Sequence, residues 1–252
     1  MKPTSWKART RGGLCVAVLS VALVEAARAD ADDYVFSSYT VEGARFVQYA
    51  GGVAQNRDGS SAQAQSVLLG FNPSARWFTA AYAGWYRVPG DVLRFGAVSW
   101  LNHVALIEPG TSPVELGFYL KIERPQDRTQ GYEITWGPTL FADLGPVQVN
   151  ANAWWRQDVR TEDAGPTQLV YQWQARHRWQ PHIDIGLQGF GTFGPWKDWD
   201  PVNQQEHLVG PVVFTKWTTG TERELEISVA ALVGVTSGSA RSALRLRALY
   251  SF

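Results

Sequence analysis

The stretch from Arg241 to Phe252 constrains this chain most, because it reads as one amphipathic β-strand that finishes on an aromatic residue. Leu244, Leu246, Ala248, Tyr250 and Phe252 share one face, and Arg245, Arg247 and Ser251 share the other, since successive side chains of a strand point to opposite sides of the sheet. An edge strand in water is usually blunted by charge or proline rather than closed by an apolar residue. The pattern therefore calls for a sheet whose outer surface meets something other than water.

The opening residues point the same way. Lys2, Lys7, Arg9 and Arg11 precede an apolar run from Leu14 to Val24, and Ala27, Arg28 and Ala29 have the small-x-small form of a cleavage site, which together predict a secretory signal peptide over residues 1–29. The apolar run is about half the roughly 20 residues a spanning helix needs, and Cys15 lies at its start rather than after a small residue at its end, so neither an anchor nor lipidation is expected. Without residues 1–29 the chain carries 18 Lys and Arg against 22 Asp and Glu and contains no cysteine. That composition implies no nucleic-acid surface, no disulfide framework and no thiolate metal site. A short N-terminal segment on the periplasmic side is expected over residues 30–38.

Turn chemistry recurs every 10 to 20 residues between Asn56 and Gly238, with Asn, Asp, Gly and Pro at eleven breaks. The breaks delimit twelve strands, expected over 39–54, 61–71, 76–87, 92–107, 114–123, 131–142, 147–157, 167–179, 183–193, 206–217, 223–235 and 241–252. Alternation assigns faces in several of them. Val114, Leu116, Phe118, Leu120 and Ile122 oppose Glu115, Gly117, Tyr119, Lys121 and Glu123; Val147, Val149, Ala151, Ala153 and Trp155 oppose Gln148, Asn150, Asn152, Trp154 and Arg156. Leu225, Ile227, Val229, Ala231 and Val233 oppose Glu224, Glu226 and Ser228.

Two architectures satisfy this alternation: a soluble sandwich or lipocalin-like fold with the apolar face as core, or a membrane barrel with that face toward lipid. Two features favour the barrel. Trp77, Trp85, Trp179 and Trp217 fall near strand ends, where interfacial aromatic belts belong. The longest connections, 124–130, 158–166 and 194–205, are the fifth, seventh and ninth, as expected if both termini are periplasmic and the long loops face outward. The expected fold is all-β, a single antiparallel transmembrane β-barrel of about twelve strands over 39–252.

The chain resembles uncharacterised proteobacterial outer-membrane β-barrel proteins. The resemblance is carried by LGFN at 69–72 leading to RWFT at 76–79, by IERP at 122–125, QGFG at 188–191 and QEHLVGP at 205–211, and by the aromatic-ended final strand. It implies that Tyr250 and Phe252 form the address read by the barrel-insertion machinery, and that the protein resides in the outer membrane among its lipid and lipopolysaccharide. Related barrels carry more lumenal carboxylates in the third and fourth strands, where this chain has Ala80, Gly84, Ser99 and Leu101.

The charged residues on polar faces are the candidate functional set: Glu115, Lys121, Glu123, Glu133, Arg156, Arg176, Arg178, Asp184, Glu224, Glu226, Arg245 and Arg247. Arg156, Arg176 and Arg178 on neighbouring strands suggest an arginine track through a narrow pore for small, anionic solutes. The alternative is a closed lumen in which these groups pair with one another, in a structural or partner-binding barrel. Segment 30–38 is short, yet it is placed to block a pore. A lipid-modifying hydrolase would need a serine and histidine in contact. His103, His177, His182 and His207 offer no matching spacing, apart from Ser99 four residues before His103. Asp198 and Asp200 read as a solvated acidic loop more readily than as a cation site. No cofactor and no catalytic residue is expected.

Overall fold

The protein, seen in a computed structural model, is a closed antiparallel barrel; the structure describes residues 34–37, 41–162, 164–219 and 223–252. The strands are β1 (Arg45–Gln55), β2 (Ser61–Ser74), β3 (Trp77–Arg87), β4 (Arg94–Ala105), β5 (Val114–Pro125), β6 (Tyr132–Leu144), β7 (Val147–Val159), β8 (Gln168–Gln180), β9 (Ile183–Pro195), β10 (Glu206–Thr219), β11 (Arg223–Gly234) and β12 (Ser242–Ser251). Each strand pairs with its sequence neighbours, and β12 pairs with β1 to close the ring. Closure leaves no sheet edge, so every strand backbone is satisfied without solvent. At the seam the Arg45 and Phe252 backbones exchange two hydrogen bonds of 2.9 Å.

The expected strands match closely, with one difference in β1. It starts at Arg45 rather than 39, because Gly43 takes a positive φ of 77° and donates its N–H to Asn72 O, turning the chain before the strand begins.

The apolar faces lie outside. Leu69, Leu187, Val233 and Leu244 are each more than half exposed, and this surface also carries Phe71, Trp100, Phe118 and Leu246. The sandwich and lipocalin readings are excluded by this arrangement, since they bury those residues. A band of this extent faces lipid. Among the described residues no helix is long and apolar enough to cross a membrane.

One end of the barrel holds the start of β1, the end of β12 and mostly short turns, here termed the terminal end. The other, loop end carries the connections 126–131, 160–167 and 196–205. The connection 106–113 between β4 and β5 is an exception, long for the terminal end. Exposed Trp77, Trp179 and Trp217 ring the terminal end, with Tyr250 stacked on Phe252 at 5.5 Å. Trp85 packs edge-on against Phe95 at 5.9 Å toward the loop end. Two aromatic belts thus bracket the apolar band.

Candidate functional site

The inward faces are less polar than the alternation of β5 or β7 suggests. Phe46, Leu68, Phe78, Leu101, Tyr119 and Trp154 meet in one buried cluster. Phe190, Leu208, Val212, Phe214 and Leu232 form much of a second. Each cluster also takes in a residue from the chain before β1. Phe36 belongs to the first and Val35 to the second; the described part of segment 30–38, Tyr34 to Ser37, lies within the lumen rather than beneath the barrel, and its remainder lies outside the described residues.

Phe36 is 2% exposed. Its ring lies 5.0 Å from His103 and 5.2 Å from Tyr119. Its N–H donates to Gln172 Oε1, its carbonyl accepts from Asn152 Nδ2 at 3.0 Å, and Asn150 Nδ2 donates to Ser37 Oγ at 3.2 Å. The Arg247 guanidinium lies 5.0 Å from the Tyr34 ring. The segment is thus docked on a wall of amides from β7 and β8. Around it Gln48 Nε2, Asn152 Oδ1 and Trp154 Nε1 are buried with no hydrogen-bond partner among the described residues, an unusual state for polar atoms inside a protein.

The charged residues sort into three groups. Toward the terminal end, Arg176 bonds Asp184 at 2.7 Å and Glu226 at 2.6 Å, while Arg247 bonds Glu226 at 3.2 Å and Gln48 at 2.7 Å. At the rim of that end Arg178 pairs with Asp143 at 2.7 Å and Lys216 with Glu224 at 2.9 Å. Toward the loop end Lys121 bridges Glu123 at 3.0 Å and Glu133 at 3.5 Å, and Ser99 donates to Glu123 at 2.8 Å. Glu115 accepts from the Gly110 N–H at 3.0 Å.

The expected arginine track is not continuous. In the β7–β8 register Arg156 stands opposite Gln168, whereas Arg176 stands opposite Gln148. Antiparallel pairing reverses chain direction, so residues near the end of one strand and near the end of the next sit at opposite ends of the lumen. Arg156 faces the loop end, and Arg178 reaches the terminal rim.

A cavity of about 130 Å³ lies between the docked segment and the loop end. Tyr34, Phe36, Tyr119 and Trp154 contribute aromatic surface, and Lys121, Arg156 and Arg245 contribute cations alongside Glu133 and Glu206. Tyr119 stacks on Trp154 at 4.2 Å, and the Arg245 guanidinium covers the Phe190 ring at 4.1 Å.

The histidines have other partners. His103 Nε2 meets Thr139 Oγ1 at 2.8 Å, so Ser99 and His103, though both inward, do not engage each other. His207 meets the Tyr171 hydroxyl and Gln205 Oε1, each at 2.8 Å, and His182 Nδ1 lies 3.2 Å from Lys216 O. His177 is exposed on β8. Among the described residues no three His, Cys, Asp or Glu side chains converge as a metal site.

Sequence reading placed segment 30–38 where it could block a pore but not the side chains that hold it, and it missed Asp143 and Gln48 as charge partners. Alternation did put Asn150 and Asn152 on the inward face, but nothing in their spacing indicated what they hold.

Fold and surface together define a twelve-stranded outer-membrane type of barrel. Solved structures share it at low identity. The NanC porin is 11% identical with a TM-score of 0.54, over 82% of this chain and 98% of that one. The KdgM porin, solved in complex with disordered oligogalacturonate, is 9% identical with a TM-score of 0.51, over 82% and 99%. The translocator domain of the autotransporter NalP from Neisseria meningitidis is 10% identical with a TM-score of 0.51, over 90% and 92%. At such identities the likeness is one of fold. No protein-family model matches the chain, and no curated protein matches it in sequence.

Proposed function

We propose that the protein is a narrow outer-membrane channel for small polar solutes, closed in the described state by its own N-terminal segment. The observation that carries this reading is the docking of Tyr34–Ser37 on the amides of Asn150, Asn152 and Gln172. A plug that precedes the first strand can leave without breaking any strand pairing. The amides behind it, together with the unpartnered atoms of Asn152 and Trp154, would then line a wettable path. The fold shared with two porins supports the same reading.

In this orientation the terminal end is periplasmic and the cavity faces the exterior. Its three cations are accompanied by Glu133 and Glu206, and the deeper Arg176 and Arg247 share Glu226. The lumen therefore suits small solutes bearing both polarities rather than anions alone, unlike the oligogalacturonate named for the KdgM porin. Tyr250 and Phe252, stacked on the outer face, are assigned to recognition by the insertion machinery.

Conductance in planar bilayers tests the reading. The full protein is expected to conduct rarely, and a variant lacking residues 34–37 steadily. If both stay silent while migrating as folded, heat-modifiable barrels, the paired lumen is a closed scaffold instead. That second reading is favoured by the Arg176, Glu226 and Arg247 cluster, which spans β8, β11 and β12.

A further inference from the structure

The outer face at the loop end carries a cationic and aromatic cluster that a channel does not use. Arg124 has the strand parity of Leu116 and Phe118, which are exposed on the lipid side. Tyr132 stands opposite Val159 on the same side. The Arg124 guanidinium carbon lies 4.6 Å from the Tyr132 ring centroid, and that of Arg160 lies 5.8 Å from it. The two cations are thus within about 10 Å of each other. At the same end of the barrel, Trp155 meets Trp196 edge-on at 6.3 Å, and the Lys197 ammonium lies 5.2 Å from the Trp196 ring.

Two details separate this cluster from scattered rim charge. Arg160 has a φ of 57°, the one non-glycine residue in the left-handed region among the described residues, and such strain persists only where the surroundings impose it. Those surroundings are the loop bearing Gly131, itself at a φ of 69°, whose missing side chain lets it sit against the Val159 and Arg160 carbonyls. The loop after β5 and the chain leaving β7 are thereby locked together, which holds Arg124 and Arg160 around one ring. Moreover, Arg124, Arg160 and Lys197 form no ion pair among the described residues, and the nearby Asp127 carboxylate is occupied by the N–H and hydroxyl of Thr129, at 3.0 and 2.7 Å.

We propose that Arg124, Tyr132 and Arg160 form a site for the phosphate groups of an outer-leaflet glycolipid, namely lipopolysaccharide. A guanidinium held over a ring keeps its N–H edges available, and those edges match a phosphate's oxygens. Aromatic belts sit at headgroup depth, so cations resting on Tyr132 and Trp196 are at the height where headgroup phosphates lie. The inference rests on the outer-membrane reading of the barrel.

The test uses the full folded chain in detergent, first shown to be a barrel by a heat-dependent gel shift; absence of that shift would reject the membrane reading itself. Binding of phosphorylated lipid A, dephosphorylated lipid A, phosphatidylglycerol and inorganic phosphate is then compared by native mass spectrometry. Phosphorylated lipid A is expected to bind about tenfold more tightly than the dephosphorylated form, and the Arg124→Gln, Arg160→Gln double variant to lose about that factor. Arg241→Gln, altered in the loop before β12, should bind like the parent protein. Equal affinity for the two lipid A forms, or no loss in the double variant, overturns the site. A preference for phosphatidylglycerol or free phosphate overturns its assignment to a glycolipid.

Discussion

Arg176 on β8 reaches Glu226 on β11 at 2.6 Å, joining strands that are not neighbours in the sheet. The contact can form only inside a closed barrel, across the lumen. Glu226 also accepts from Arg247 at 3.2 Å, so one carboxylate serves two guanidiniums, and all three side chains are at most 12% exposed.

Removing that shared carboxylate should be costly. Glu226→Ala leaves two enclosed cations short of a partner, and a loss of about 3 kcal/mol is expected. The rim pair Arg178 and Asp143 is more than 40% exposed on both sides, so Arg178→Gln should cost under about 1 kcal/mol. Urea unfolding midpoints in lipid vesicles compare the two; equal losses would contradict the lumenal position of Glu226.

The docked segment can be followed through Ser37, since the chain beyond residue 29 lacks cysteine. In a Ser37→Cys background freed of Cys15, a membrane-impermeant maleimide should react slowly. Adding Asn152→Ala and Gln172→Ala removes both partners of the Phe36 backbone, and labelling should accelerate about thirtyfold if each lost bond is worth about 1 kcal/mol. Unchanged labelling would show that the amides do not hold the segment.

Leu246 lies midway along β12, opposite Val229 and Gly51, and is 42% exposed. At an exposed position in water a charge is nearly neutral, within about 0.5 kcal/mol. Facing the bilayer midplane it costs about 2–4 kcal/mol. Leu246→Arg should therefore destabilise the refolded barrel by the larger amount, read from unfolding in vesicles.

Phe252 contributes a ring stacked on Tyr250 and two backbone hydrogen bonds to Arg45 at the seam. Phe252→Ala keeps the backbone bonds and removes the stack. The folded protein should survive, while the amount of heat-modifiable barrel recovered from outer membranes falls. An undiminished yield would remove the assembly role assigned to this pair.

Turn residues and the period-two alternation of strands such as β5, β7, β11 and β12 were enough to determine strand number and the two faces, because a strand offers only two sides and turn residues mark its ends. Which face meets lipid follows from the tryptophans near strand ends and the alternation of long and short loops. Lys121, Glu123, Arg176 and Glu226 were recognisable as lumenal on the same ground. Their partners were not. Which charges meet depends on register across strands and on distances through the lumen, neither of which is encoded in local spacing; hence Arg156 and Arg176, adjacent by strand, lie at opposite ends. The docking of Phe36 on Gln172, 136 residues away, lay still further from view, since a segment without periodicity declares no face. Only closure of the barrel, which brings β7, β8 and the chain before β1 around one narrow space, decided that Tyr34–Ser37 docks inside the lumen.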